Sequence, residues 1–279
     1  MIAVLGGFGA AACWATATLC ASRSTKMIGA WSVLAWVMIV GFVVVTPLVL
    51  VRGIPEALGR EQLVWLALSG AGNVGGLLFA YKALRVGKVS IVAPITSTEG
   101  AIAAVIAVLT GETLGAGARL MLVVIVVGVT LAGMGPGGGS GDPLRATLFA
   151  ACAALCFGVS LYATGRASDV LPLVWAVFPA RMLGVLAVAL PLAVARRLRL
   201  TRKAVPLVVT SGLCEVVGFA SYAVGARHGI AVAAVLASQF AALAAVAAYF
   251  LFHERLTRVQ LTGIVTIAVG VAVLTAIQA

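Results

Sequence analysis

Ten apolar stretches, each about as long as a bilayer is thick, follow one another along the chain with short polar connections between them. A membrane-spanning helix needs about 20 mostly apolar residues. We therefore predict an all-α integral membrane protein, because no stretch alternates with the period of two that a barrel strand requires. The ten predicted helices, called spans 1 to 10 below, cover residues 2–21, 30–50, 62–82, 89–110, 117–134, 146–165, 171–194, 204–225, 229–251 and 257–278.

The composition supports this interpretation. Hydrophobic residues make up 63% of the 279 residues, and charged residues make up only 10%. A soluble domain carries about 25% charged residues and cannot hide so much apolar surface in one core. Membrane lipid is therefore the first partner that the sequence predicts.

The net charge of +11 does not indicate nucleic acid, because the basic residues lie in short loops between spans. Thirteen of the 19 Lys and Arg residues lie in loops on one side of the predicted topology, and five lie on the other. Short loops rich in Lys and Arg stay cytoplasmic. This predicts a multi-pass protein of the plasma membrane with both termini outside.

A Gly- and Pro-rich linker at residues 135–143 divides the chain into two five-span domains, 1–134 and 144–279. After a shift of 142 residues, the stretch 85–129 of the first domain aligns without a gap with the second domain, so that Arg85 matches Arg227 and Glu112 matches Glu254. Because five is odd, the second domain must enter the membrane from the opposite side. Such inverted repeats are typical of secondary transporters, whose sites lie near the bilayer midplane.

Each domain also carries two short motifs. Its third span ends in AYKALRVG (residues 80–87) or SYAVGARHG (residues 221–229), and an acidic turn, GETL (111–114) or HERL (253–256), precedes its last span. With these motifs the chain resembles EamA-type members of the drug/metabolite transporter superfamily over essentially its whole length. The resemblance implies a central cavity lined by spans 1, 3, 4, 6, 8 and 9, with spans 5 and 10 at the periphery.

Three charged side chains fall deep inside predicted spans: Glu99 in span 4, Arg181 in span 7 and Glu215 in span 8. A charge at the bilayer centre costs about 2.5–3.5 kcal/mol on insertion scales. We expect the two carboxyl groups to bind substrate or protons. Arg181 is either a counter-ion of one of them or a partner for a substrate carboxylate.

Other polar and aromatic side chains are candidates for the same cavity. Asn73 aligns with Glu215, and span 8 places Ser211 and Tyr222 on the face of Glu215. Interhelical hydrogen bonding is the alternative role for such polar side chains, and packing is the alternative for the aromatic ones. The remaining candidates are Tyr81 in span 3, Gln239 in span 9, the aromatic walls Trp14 and Phe157, and a hinge at Pro94.

These features together predict a secondary transporter, most simply an exporter, of a small organic metabolite such as an amino acid or a related compound. Proton coupling is left open, as is a monomeric or homodimeric state. Neither a cofactor nor a metal is expected, because His228 and His253 lie at span ends without metal-binding spacing. The alternatives are a lipid-linked sugar flippase of the same superfamily and, from another class, an intramembrane enzyme, although no catalytic residues are evident.

Overall fold

A computed structural model describes residues 1–87, 89–133, 142–244, 247 and 257–278, and these residues form helices and turns without any strand. The first domain contains helices α1 (Ile2–Ile28), α2 (Ala30–Arg52), α3 (Arg60–Val86), α4 (Val89–Thr96), α5 (Glu99–Leu109) and α6 (Ala116–Gly133). The second contains α7 (Pro143–Ser168), α8 (Leu173–Gly184), α9 (Leu190–Val194), α10 (Val205–Ala226), α11 (Ile230–Ala237) and α12 (Arg258–Gln278). A π-helical turn, Val185–Ala189, joins α8 to α9.

Six of the described helical segments are long and apolar enough to cross a membrane. They correspond to spans 1, 2, 3, 6, 7 and 8, and span 7 is the composite of α8, the π turn and α9. Shorter apolar helices cover Glu99–Leu109, Ala116–Gly128 and Ile230–Ala244. The chain is therefore a multi-pass, all-helical membrane protein, while the number of ten spans stays a prediction.

Spans 4 and 9 are both interrupted among the residues that the structure describes, although the sequence predicts a hinge only in span 4, at Pro94. Span 4 breaks at residues 97–98 between α4 and α5, and span 9 breaks at residues 238–239 after α11. At each break a hydroxyl donates to the carbonyl three residues earlier, Thr98 Oγ1 to Ile95 (2.7 Å) and Ser238 Oγ to Val235 (2.8 Å). These hydroxyls compete with the backbone N–H groups that would continue the helix.

The predicted linker lies largely outside the described residues. Its last residue is not a loop residue, because Pro143 is the first residue of α7. The Asp142 side chain caps this helix by accepting a hydrogen bond from the Arg145 N–H (3.1 Å). Proline fits the first helical position, where its missing N–H leaves no hydrogen bond unmade.

The helices of the two domains pack in reciprocal pairs. The first helix of each domain packs along the third helix of the other, so that α1 pairs with α10 and α7 pairs with α3. Buried hydroxyls hold α3 and α7 together, with Ser69 and Thr164 Oγ atoms 2.6 Å apart and Ser160 Oγ donating to the Ser69 carbonyl (2.8 Å). The cavity described below lies between the α1–α10 pair and the α3–α7 pair.

Helices that are equivalent in the two domains run in opposite directions where they meet. Along α2, Met38 contacts Arg181 of α8 and Phe42 stacks on Phe178, so the contacts move backwards along α8. The peripheral helices α6 and α12 meet in the same way, with Gly117 facing Ile277 and Ile125 facing Gly270. Spans 2 and 7, and likewise spans 5 and 10, are therefore antiparallel neighbours.

Candidate functional site

A cavity lies between the two domains, and its walls come from spans 1, 3, 4, 6, 8 and 9. The volume open to the centres of water molecules is about 60 Å³, so the cavity can hold water. The six spans are those that the family resemblance implied. The lining includes two carboxyl groups, Glu99 and Glu215, and five aromatic rings, those of Trp14, Tyr81, Phe157, Phe219 and Phe240.

Glu215, on α10, is paired with Arg181 on α8. The Arg181 Nη2 atom lies 3.6 Å from Glu215 Oε2, and the two side chains are 0% and 7% exposed. Arg181 does not lie on the cavity lining but behind Glu215, where its guanidinium covers the ring of Phe219 at 5.4 Å. Its Nη1 also contacts the sulfur of Met38 (3.7 Å).

The long Arg181 side chain packs against α2 at Gly41, where no side chain obstructs it. A β-carbon on Gly41 would lie 2.7 Å from Arg181 Cδ, which is closer than packed atoms approach. A buried arginine cannot shed its charge and requires an anion. The structure therefore assigns Glu215 as the partner of Arg181, which makes the arginine a counter-ion.

Glu99 has a different environment. It is the first residue of α5, directly after the break in span 4, and its side chain lines the cavity while the residue is only 4% exposed. Among the described residues, no basic group lies within ion-pair distance of its carboxylate. The positive end of the α5 dipole favours negative charge there by about 0.3–1 kcal/mol, which only partly offsets the cost of burial.

Two further predicted residues, Trp14 and Tyr81, lie on the cavity lining. Within the described part of the chain, Trp14 Nε1 and Tyr81 Oη are buried and have no hydrogen-bond partner. Buried donors and acceptors are nearly always satisfied by protein or water. Both atoms therefore lack the partner that buried polar atoms usually have.

Four predicted residues are buried close by but do not lie on the lining. Tyr222 donates to the Leu161 carbonyl (2.8 Å), which joins α10 to α7 within the second domain, and Ser211 donates to the Ala17 carbonyl (3.5 Å), which joins α10 to α1 of the first domain. Asn73 and Gln239 are buried and have amide atoms without a hydrogen-bond partner among the described residues. Their roles in binding, like that of Pro94 within α4, stay predictions.

The sequence did not single out Phe219, Phe240 or Thr96, which also line the cavity. Phe219 follows Glu215 by four residues and so shares its helix face, which was a usable signal. Phe240 and Thr96 lie beside the helix breaks, whose positions the hydrophobic pattern did not show.

A second, open pocket of about 300 Å³ lies at one end of the bundle, where the acidic turn after α5 meets the second domain. Both carboxylate oxygens of Glu112 accept from the Ala231 N–H at the start of α11 (3.2 and 3.3 Å). Gly111 precedes it at φ +109°, a conformation that favours glycine. Burial raises the pKa of Glu112, although its backbone hydrogen bonds act in the opposite direction.

Two other charged residues of this pocket act on the loop after α7. The Arg227 guanidinium donates to the carbonyls of Ser168 and Leu171, the latter at 2.7 Å. Burial also raises the pKa of Asp169, against the opposing effect of Arg166 and Arg227. These contacts join the ends of α5, α7 and α10 to the start of α11.

Comparisons with known proteins agree with this architecture. A family model described as the EamA-like transporter family matches residues 1–134 and, a second time, residues 144–276. A crystal structure described only as that of a protein has a TM-score of 0.77 and 21% sequence identity, covering 99% of this chain and 96% of the other. At that identity the likeness shows the fold alone. No curated protein matches the chain.

Proposed function

Since the chain belongs to the EamA-like transporter family and is therefore a membrane transporter rather than an enzyme, we propose that it moves a small organic metabolite by alternating access. The transporter is a secondary one with ten spans, in which domains 1–134 and 144–279 form inverted repeats. The observation that carries the proposal is the cavity between the domains, which bears both carboxyl groups found deep in the predicted spans.

The packing supports alternating access. Because equivalent helices of the two domains run antiparallel, a rocking motion of one domain against the other closes one side as it opens the opposite side. The polar contacts of Glu112 and Arg227 tie one end of the bundle together in the present conformation. We propose that this end opens when the substrate passes.

The direction and substrate follow the sequence interpretation. We propose export across the plasma membrane of an amino acid or a related compound, with both termini outside. A sugar-lipid flippase would need a wide polar groove that is open to lipid. The small cavity with its largely apolar lining does not favour that alternative.

The test joins binding to transport. A panel of amino acids and amines is screened by thermal stabilisation of the purified protein, since a ligand that binds the folded state raises its stability. Each compound that binds is then followed in proteoliposomes with an imposed pH gradient. We expect the wild-type protein to move at least one of them and Glu215→Gln to move it more slowly.

Glu56→Gln is the matched control, because Glu56 is an exposed acid in the loop after α2. It should transport like the wild type. If no bound compound crosses faster in wild-type vesicles than in protein-free ones, the transport proposal is wrong.

A further inference from the structure

The charges around the central cavity do not balance. The negative charge of Glu215 is compensated by Arg181 at 3.6 Å. Glu99, on the opposite domain, has no such partner among the described residues. An unpaired carboxylate at this depth is costly, so one further positive charge must neutralise it, either a proton or a cation.

The described lining offers no positive charge to a negatively charged group. Among the residues that the structure describes, no basic side chain is part of its lining. Arg181 is the only basic residue that the sequence places deep in a span, and it is held behind Glu215 between Gly41, Met38 and Phe219. A free carboxylate on the substrate would therefore enter the cavity without a partner for its charge.

The remaining lining suits a cation with an apolar body. Five aromatic rings surround the two carboxyl groups, and Trp14 packs edge-on against Phe219 with ring centroids 5.2 Å apart. The negative faces of aromatic rings attract ammonium groups, most strongly where water is excluded. The same rings provide apolar contact for the rest of the molecule.

We propose that the cavity binds a monovalent organic cation, a protonated amine or quaternary ammonium without a free carboxylate, and that Glu99 neutralises its charge. This rests on the proposed function, since it names the substrate class of the same site. Within the proposed substrate class of amino acids and related compounds, the proposal selects amines that lack a free carboxylate. The titratable side chains that share the described lining with Glu99 are Glu215 on α10 and Tyr81 on α3, and Tyr222 lies close enough behind it to interact electrostatically with Glu99.

Three compounds of similar size and different charge test the proposal: 2-phenylethylamine as the cation, phenylalanine as the zwitterion and 3-phenylpropionate as the anion. Binding to the full-length protein is measured in lipid nanodiscs by calorimetry at neutral pH. We expect 2-phenylethylamine to bind at least about tenfold more tightly than either of the others, a difference of about 1.4 kcal/mol.

Variants locate the charge that selects the amine. Glu99→Gln should lose the preference for the amine, Glu99→Asp should keep it, and the exposed control Glu56→Gln should bind like the wild type. Tight binding of phenylalanine or 3-phenylpropionate to the wild type, or no binding of the amine to folded wild-type protein, overturns the proposal. An amine preference that survives Glu99→Gln does the same.

Transport of 2-phenylethylamine in proteoliposomes separates this proposal from the function on which it rests. Selective, Glu99-dependent binding without net transport would support the cation site and refute the transport function. Transport of the zwitterion in preference to the amine would leave the transport function standing and overturn the cation site.

Discussion

The guanidinium of Arg181 lies 3.6 Å from the carboxylate of Glu215, and both side chains are almost completely buried. The pair joins α8 to α10 behind the cavity wall. A buried pair contributes little net stability over apolar side chains of the same size, but the loss of one partner leaves a buried charge alone. This asymmetry leads to the first prediction.

Arg181→Leu should destabilise the protein by about 3 kcal/mol, because it leaves Glu215 without its counter-ion. Arg181→Leu combined with Glu215→Gln should recover most of this loss, since neither charge remains. The free energy of unfolding in detergent, measured for both single variants and the double variant, gives the coupling energy. Strictly additive effects would show that the two residues do not form an energetic pair.

The aromatic walls predict a second set of effects. A β-carbon on Gly218 would lie 2.6 Å from Trp14 Nε1, and one on Gly76 would lie 2.4 Å from Phe157 Cδ1. Gly218→Ala and Gly76→Ala should each destabilise the protein by about 1–3 kcal/mol, because the ring must move. Displacement of either ring should also weaken binding in the cavity.

Gly75→Ala is the control for this effect, because a β-carbon there would meet only Cys156 Sγ at an ordinary 3.6 Å. It should leave the unfolding free energy within about 1 kcal/mol of the wild-type value, since alanine is also the better helix former. Equal losses for Gly75→Ala and Gly76→Ala would mean that the ring contact does not matter.

The Glu112 carboxyl predicts a pH dependence of stability. Burial raises its pKa in the folded protein, so the folded state binds more protons than the unfolded state above the usual carboxyl pKa of about 4.3. Stability from this group is present at low pH and falls as the pH rises through the raised pKa. Asp169 acts in the same direction.

Glu112→Gln should flatten this part of the pH profile, because its amide oxygen can still accept the Ala231 N–H without carrying a charge. The melting temperature is recorded for the variant and the wild type between pH 4 and pH 8. We expect the wild-type melting temperature to fall more steeply with rising pH than that of Glu112→Gln. Equal slopes for the two proteins, or a steeper fall for the variant, would contradict the assignment.

A fourth prediction concerns competition at Glu99. If a proton and an organic cation neutralise the same carboxylate, the apparent affinity for 2-phenylethylamine should fall as the pH is lowered. Glu99→Gln should bind the amine weakly and without this pH dependence, whereas Glu56→Gln should behave like the wild type. Titrations at several pH values test this, and an affinity that does not change with pH in the wild type would rule out the competition.

The sequence indicated much of the site because charged residues are rare inside its predicted spans. In spans built from apolar residues, Glu99, Arg181 and Glu215 stand out because each charge is expensive there. Three candidates left two possible partners for Arg181, and charge alone could not choose between them. Packing chose Glu215, since α8 lies against α10 and Gly41 makes room for the arginine stem.

The two tyrosines show the limit of the pattern. Tyr81 and Tyr222 end the third helix of their domains in similar motifs, yet only Tyr81 lies on the cavity lining. Tyr222 instead donates to the Leu161 carbonyl of α7, within its own domain. The rotation of a helix about its axis decides which face meets the cavity, and an apolar helix in lipid carries little amphipathic signal to predict that rotation.

The hydrophobic pattern by itself determined that this chain is a helical membrane protein with two related halves, because span length and the repeat are properties of the sequence alone. The tertiary structure decided where spans 4 and 9 break, which carboxyl is paired and which is not, and which side chains meet between the halves. These depend on contacts between residues far apart in the chain, such as Arg181 with Met38 and Trp14 with Gly218, which no local pattern encodes.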